Sequence, residues 1–127
     1  MSQAPLPSPE RQRRGPFLAR RVRWNWHDDV RIDILDDRDR PITTLDEWQT
    51  LVFYEADGNH SLDMIIDGFP KHYKDPAKVP ADHRRAITEA AKFLIDDRRW
   101  IEPWDRPDDL AREVALPRNE QTATTPI

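Results

Sequence analysis

The sequence predicts a small α+β domain in which a three-stranded antiparallel sheet precedes three helices. Two observations lead to this fold class. Apolar residues alternate with polar ones in residues 22–34, which is typical of strands, and after residue 44 they recur at helical spacing. The length of 127 residues allows one domain of this kind and hardly a second.

A hairpin and a third strand account for the predicted sheet. Apolar residues occupy alternate positions in residues 22–26 and again in residues 30–34, so each set lies on one face of a strand. The short segment His27-Asp28-Asp29 between them favours a turn, which predicts an antiparallel hairpin. After a charged turn, residues 41–43 supply the third strand, with Pro41 at its first position, where a missing donor is tolerated.

Three helices are predicted after the strands. Thr44 and Glu47 form a capping box ahead of the first helix, because a hydroxyl and a carboxylate at this spacing each satisfy a free backbone donor. Ser61 is the expected N-cap of the second helix, and Pro80 stands where a first-turn proline belongs in the third. Residues 100–101 close the unit as a further short strand. This order favours a winged-helix-like α+β packing.

Charge and proline divide the chain into three parts. Residues 1–21 carry five arginines against one glutamate and contain four prolines, and they are predicted to form a disordered arm. Residues 22–102 are the predicted folded domain, with 12 basic and 18 acidic side chains and hence a net charge of −6. Residues 103–127 contain four further prolines and are predicted to be a disordered tail. The body is therefore acidic and the basic charge lies on an extension.

The composition argues against several classes of function. There is no cysteine, which excludes disulfides, thiolate metal sites and a cysteine nucleophile. Fully apolar runs are only two or three residues long, so no membrane contact and a cytoplasmic location are expected. The four histidines lack metal-ligand spacing and the three glycines form no phosphate-binding loop, so no metal and no cofactor is expected. No catalytic constellation is visible, and an enzyme is not expected.

Residues 22–102 contain several short motifs in a characteristic order. They are the strand pair, Trp48 inside a leucine-led helix, Ala56-Asp57-Gly58, Ser61-Leu62-x-x-Ile65-Ile66 and Phe93-Leu94-x-x-x-Arg98-Arg99-Trp100-Ile101. Together they resemble the PqqD-like family, the RiPP precursor-peptide recognition elements. The resemblance implies a non-catalytic winged-helix-like module that binds a precursor (leader) peptide and presents it to a peptide-modifying enzyme. In that family the leader adds as a strand beside the third strand and packs against the third helix.

The expected peptide-binding residues lie on the third strand and the third helix. An outer strand offers unpaired N–H and C=O groups that an extended peptide can satisfy. The third helix offers cations that can pair with acidic residues of the peptide, although a solvated helix face is the alternative role for them. The strand residues are Ile42, Thr43 and Thr44, and the helix residues are Arg84, Arg85, Thr88 and Lys92.

Nucleic-acid binding and an adaptor role are the alternative functions. A winged helix with Arg84, Arg85 and Lys92 on its third helix is compatible with DNA or RNA binding, and the arginine-rich arm could follow a phosphate backbone. The acidic body opposes this function, because a net charge of −6 repels phosphate. A protein–protein adaptor subunit is the second alternative.

The five tryptophans are the largest apolar side chains available to so small a body. Trp24 and Trp26 fall on the same strand face, and together with Trp48 they are predicted to lie in the core. Trp100 and Trp104 flank Pro103 at the end of the body, where one of them could be exposed enough to dock a partner.

Overall fold

A computed structural model of the chain describes the backbone of residues 17–123 and the side chains of residues 17–120. Most of the predicted arm (residues 1–16) and the last residues of the predicted tail (124–127) lie outside this range. The described residues form two three-stranded antiparallel sheets together with short helices, which confirms the α+β class.

The two sheets differ in where their strands come from in the chain. The second sheet is a consecutive meander of β2 (Trp24–Trp26), β3 (Ile32–Leu35) and β4 (Pro41–Thr44), in the order β2-β3-β4. The first sheet joins distant segments: β1 (Phe17–Arg20), β5 (Asp57–Ser61) and β6 (Ile101–Trp104), in the order β5-β1-β6. The sequence predicted only one sheet, so the fold contains one sheet more than expected.

The helices follow the second sheet. They are α1 (Glu47–Glu55), α2 (Leu62–Gly68), α3 (His83–Lys92), α4 (Arg112–Ala115) and α5 (Arg118–Ala123). Two 3-10 turns, Phe69–His72 and Pro76–Lys78, connect α2 to α3, and a π-helical turn, Phe93–Asp97, extends α3. The three predicted helices correspond to α1, α2 and α3.

The predicted hairpin is confirmed, with shorter strands and a longer turn than expected. Trp24 pairs with Ile34 and Trp26 pairs with Ile32 across β2 and β3, so residues 27–31 form the turn. The third strand is confirmed as β4, which pairs with β3 and begins at Pro41. The local sequence pattern thus identified the three strands of the second sheet.

Residues 17–20 were assigned to the disordered arm, and this boundary is wrong. They form β1, the central strand of the first sheet, and Leu18 and Ala19 are buried in it. Phe17 pairs with Ser61 on one side and with Trp104 on the other. The folded unit therefore begins before residue 22.

The predicted disordered tail also contains ordered structure. Residues 103 and 104 complete β6, and the segment that follows forms α4 and α5. Arg118 forms an ion pair with Asp39, with Nε 3.1 Å from Oδ1, and the backbone N–H of Asn119 donates to Asn25 Oδ1 at 2.8 Å. The segment after β6 therefore packs on the second sheet near β2.

The cap of α1 differs from the prediction, whereas the cap of α2 agrees with it. Asp46 and Gln49 form the capping box of α1 instead of Thr44 and Glu47. Thr44 still belongs to β4, and its hydroxyl donates to Asp33 Oδ1 at 2.6 Å, so it is not available to cap the helix. Ser61 caps α2 as predicted, because its Oγ accepts from the Met64 N–H at 3.2 Å.

One hydrophobic core joins both sheets to helices α1, α2 and α3, and the first sheet contributes Leu18 and Ile101 to it. Trp24 is 1% exposed in this core, which confirms its predicted position. The largest other side chains that are fully buried are Phe53, Ile32, Ile34, Leu45, Ile87, Leu94, Ile101 and Val52. The core fixes α1 against β3, since the Ile32 N–H donates to the Thr50 hydroxyl at 3.1 Å.

Candidate functional site

Strand β4 is the outer strand of the second sheet, and all four of its residues are exposed. The side chain of Ile42 is 55% exposed, which is unusual for an isoleucine in a strand. Thr43 and Thr44 pair with Ile34 and Asp33 of β3, and within residues 17–123 no strand lies on the opposite side of β4. The predicted edge, Ile42 to Thr44, is therefore placed where the sequence expected it.

The backbone of β4 points alternately toward and away from β3. The Leu45 N–H donates to the Ile32 carbonyl at 2.8 Å, which makes this the hydrogen-bonded position of the ladder. In an antiparallel pair the next position along is a non-hydrogen-bonded one, so the N–H and C=O of Thr44 point away from β3. This orientation is the one that an added strand requires.

The cations predicted on the third helix lie on the exposed face of α3. Arg84 and Arg85 are within ion-pair distance of acids of this chain: Arg84 Nη2 lies 4.0 Å from Asp67, and Arg85 Nε lies 3.4 Å from Glu89. The Thr88 hydroxyl donates to the Arg84 carbonyl at 2.7 Å. Lys92 lies on the same exposed face.

The α3 cations line a cavity on the surface of their own helix. This cavity of about 630 Å³ includes Arg84, Arg85, Thr88 and Lys92, and all of its lining residues lie within residues 81–92. The opposite face of α3 is buried against α1 and α2, and β4 pairs with β3. The cavity over α3 therefore holds the predicted helix residues but none of the predicted strand residues.

A larger cleft of about 680 Å³ lies along the exposed side of α1, and we call it the aromatic cleft. Its lining comes from the end of β2, the β2–β3 turn, α1 and the 3-10 turn after α2. The lining residues are Trp26, Asp29, Val30, Glu47, Trp48, Thr50, Leu51, Tyr54, Phe69, His72 and Tyr73. Aromatic side chains therefore provide much of its surface.

The aromatic rings of the cleft form two groups. Trp26 and Tyr54 make the first, with ring centroids 5.4 Å apart. Phe69 is the centre of the second, at 5.1 Å from Trp48 and 5.4 Å from Tyr73. These distances are typical of aromatic pairs that hold each other in place.

Both aromatic groups are anchored to the core. Trp26 contacts the buried Trp24 edge-on, with ring centroids 5.6 Å apart. Phe69 stacks on His83 at 5.5 Å, which connects the 3-10 turn to the start of α3. The cleft is consequently built into the fold and does not depend on a loose loop.

Sequence reasoning missed the cleft because it assigned its tryptophans to the core. Trp26 is 36% exposed and Tyr54 is 50% exposed, whereas Trp48 is partly buried at the edge of the core. Alternation along β2 places Trp24 and Trp26 on one face of the strand. Trp26 is the last residue of β2, however, and its side chain stays exposed. The prediction of a core position is therefore wrong for Trp26.

Two carboxylates, Asp29 and Glu47, lie in the cleft lining, and lysine and arginine are absent from the residues that line it. The neighbouring Arg31 is bound by Asp28, to which its Nε and Nη2 donate at 2.9 and 2.6 Å. These bonds, together with backbone N–H groups, lower the pKa of Asp28 to about 2. The charge of Arg31 is thus compensated outside the cleft.

A second notable group is the buried guanidinium of Arg20, which is 5% exposed. Its Nη1 donates to the carbonyls of Phe53 and Tyr54 at 3.1 and 2.5 Å, at the end of α1. Its Nε and Nη2 donate to the carbonyls of Val114 and Ala115 at 2.9 and 3.1 Å. Burial lowers the pKa of Arg20 to about 10 although nearby acidic groups oppose this shift, and the group holds α4 against α1.

Within residues 17–123, histidine, aspartate and glutamate side chains do not gather in groups of three or more that could hold a metal ion. None of the helices in that part of the chain is both long and apolar enough to cross a membrane. What the fold and its surfaces define is a small α+β protein with an open sheet edge and an aromatic cleft. Comparison with known proteins finds no matching family model and no significant match among curated proteins or solved structures.

Proposed function

We propose that this protein is a non-catalytic peptide-binding module. It takes up an extended segment of a precursor peptide as a strand beside β4 and presents that peptide to a modifying enzyme, as the resemblance to the PqqD-like family implies. The observation that carries the proposal is the open edge of β4, whose four residues are all exposed. A strand with a free edge is the usual acceptor for an extended peptide.

The order of the elements supports this proposal. The second sheet is followed in the chain by α1, α2 and α3, the order that the resemblance implies, with β5 inserted between α1 and α2. The outward backbone of Thr44 can exchange hydrogen bonds with the peptide, and the exposed side chain of Ile42 gives an apolar contact beside them. Main-chain bonds then supply affinity, and side-chain contacts supply selectivity.

The cations of α3 are a separate part of the proposal. Arg84 and Arg85 line the surface cavity over α3, whose lining residues all lie within residues 81–92, so we expect them to contact a peptide that continues past the strand, or the enzyme that receives it. Charge reversal at both arginines would weaken binding of a peptide that reaches α3. It would leave a short peptide confined to β4 unaffected.

Selection from a display library of random peptides tests the proposal. Peptides that bind by strand addition should shift the backbone amide signals of β4 in NMR spectra. Methylation of alternate peptide nitrogens, in the register that faces Thr44, should weaken binding about tenfold for each lost hydrogen bond of about 1.4 kcal/mol. Methylation in the other register serves as the matched control, because those N–H groups point away from β4.

A protein variant provides an independent check. Thr44→Pro removes the outward donor, and Thr44→Ala, which loses only the hydroxyl bond to Asp33, is the control. Bound peptides that leave the β4 amides unchanged, or a library that yields no binder, would overturn the proposal. Binding of random duplex DNA with a steep salt dependence would favour the nucleic-acid alternative.

A further inference from the structure

The aromatic cleft has the lining of a cation-binding site, and it is not part of the β4 edge. We infer that it binds the arginine side chain of a partner peptide. Three features of the described residues support this assignment: the two aromatic groups, the charge of the lining, and the way in which this chain binds its own guanidinium groups.

The aromatic groups provide faces on which a planar cation can stack. Trp26 and Tyr54 are exposed, with their ring planes inclined by 45°, and the second group presents Trp48 and Tyr73 around Phe69. A cation within about 6 Å of such a ring is attracted by its quadrupole, and tryptophan gives the strongest attraction. Arginine suits this geometry better than lysine does, because its guanidinium is flat and weakly hydrated.

The charges in the lining select a positive ligand. Asp29 and Glu47 contribute carboxylates, and the lining contains neither lysine nor arginine. The neighbouring Arg31 donates its hydrogen bonds to Asp28, although its charge also attracts Glu47. Residues 22–102 carry a net charge of −6, which also attracts a basic peptide to this body.

The same chain twice places one of its own arginines over an aromatic group. The Arg20 Cζ atom lies 5.3 Å from the ring centroid of Trp24 and 5.8 Å from that of Phe53. The Arg98 Cζ atom lies 5.6 Å from Phe93 and 5.5 Å from Trp100. The aromatic cleft presents a comparable group of rings together with two carboxylates, and among the described residues its lining includes no arginine.

The cleft lies close in sequence to the end of β4, so the inference extends the proposed function. The assignment of its ligand to a peptide rests on that function. Thr44 ends β4 and Glu47 lies in the cleft, so Glu47 is three residues further along the chain than Thr44. Three residues span at most about 10 Å, which is within reach of a peptide that leaves the β4 edge at Thr44. The volume of about 680 Å³ exceeds what a single arginine side chain requires, so adjacent peptide residues can also be accommodated.

The test uses small probes, so that it does not depend on strand addition. N-acetyl-arginine amide is titrated into the full-length protein while the tryptophan indole N–H signals are followed by NMR. Signals of Trp26 and Trp48, assigned with Trp26→Phe and Trp48→Phe, should shift in a saturable way. N-acetyl-citrulline amide, which has the same shape without the charge, should bind at least several-fold more weakly.

Charge-neutral variants check the role of the lining. Glu47→Gln and Asp29→Asn should each weaken binding of the arginine probe several-fold and leave the citrulline probe unchanged. Asp96→Asn is the matched control, because Asp96 is exposed on the turn after α3, outside the cleft lining. Equal binding of both probes, shifts confined to the other tryptophans, or no saturable shift would overturn the inference. Equal binding of tetramethylammonium and the arginine probe would overturn the assignment to arginine.

Failure of this site and failure of the proposed function can be told apart. If library peptides shift β4 amides but the arginine probe leaves Trp26 and Trp48 unchanged, only the cleft assignment is wrong. If the arginine probe binds but no peptide pairs with β4, strand addition is wrong and the cleft remains a cation site.

Discussion

The Arg20 side chain of β1 donates a hydrogen bond of 2.9 Å to the carbonyl oxygen of Val114, 94 residues further along the chain. The indole N–H of Trp24 donates to the same carbonyl, also at 2.9 Å. One backbone group of α4 is therefore held by two side chains from the opposite end of the domain. This contact fixes the segment after β6 over the end of α1.

Replacement of Arg20 should destabilise the fold strongly. In Arg20→Met, the buried carbonyls of Phe53 and Tyr54 lose their donor, and the link to Val114 and Ala115 is broken. A loss of about 2–4 kcal/mol in the free energy of unfolding is expected from urea denaturation. Arg20→Lys keeps the charge and some of the donors, so it should lose less. Equal stability of Arg20→Met and the wild type would contradict this role.

Removal of residues 112–127 should expose the Trp24 indole. Trp24 is 1% exposed, and its N–H loses its acceptor when Val114 is absent. We expect a red shift of tryptophan fluorescence and a loss of about 1–3 kcal/mol in the free energy of unfolding. Removal of residues 124–127 alone is the control and should change neither quantity. Unchanged emission after the longer truncation would show that the segment is not needed to cover Trp24.

Alanine at the two described glycines should have opposite effects. Gly58 has a φ of +88°, and a Cβ there would lie 2.2 Å from the Asp108 carbonyl oxygen and 2.9 Å from a ring carbon of Trp104. Gly58→Ala is therefore expected to cost about 2–4 kcal/mol. Gly68 has a helical φ of −80° and open space around it, so Gly68→Ala should be neutral or gain up to about 1 kcal/mol. Thermal unfolding of both variants measures the difference, and similar midpoints would refute it.

The Asp28 carboxyl should titrate at an unusually low pH. Hydrogen bonds from Arg31 and from backbone N–H groups lower its pKa to about 2, below the value of about 3.9 in an unfolded chain. Because the folded pKa is the lower one, its contribution to stability is present above about pH 4 and is lost as the pH falls toward 2. Carbonyl-carbon NMR titration should find this pKa, and Arg31→Gln should raise it. A pKa near 4 in the wild type would be the contrary result.

The second sheet could be predicted because its pattern is local. Alternation across residues 22–34 indicates β2 and β3, and Pro41 marks the start of β4, although the turn between β2 and β3 is longer than predicted. The caps were less predictable. Thr44 has the right chemistry for an N-cap, but its hydroxyl is bound to Asp33, so Asp46 caps α1 instead.

The first sheet could not be predicted because its strands are short and distant in sequence. Residues 17–20 lie between a proline and several arginines, and their charge suggested an arm. Residues 57–61 contain Asp57, Gly58 and Asn59, which favour a turn, but pairing with β1 makes them a strand. Tertiary contacts override local propensity at such positions.

The candidate surfaces show the same division between local and long-range information. The exposure of Ile42 on β4 and of Arg84 on α3 follows from patterns within each element. The position of α3 relative to the strands depends on how it packs against α1 and α2, which no motif encodes. The aromatic cleft brings Trp26, Trp48 and Tyr73 together from three segments, and such a combination is visible only after folding.

The central position of β1 also has a consequence for biosynthesis. A ribosome releases β1 ahead of its two neighbours, and Phe17 cannot pair on both sides until Trp104 has emerged. Contacts this far apart in sequence slow folding, since a long loop must close before they form. The nascent chain can build the β2–β3–β4 meander early, whereas the sheet that joins β1 to β6 is completed only after Trp104 has emerged.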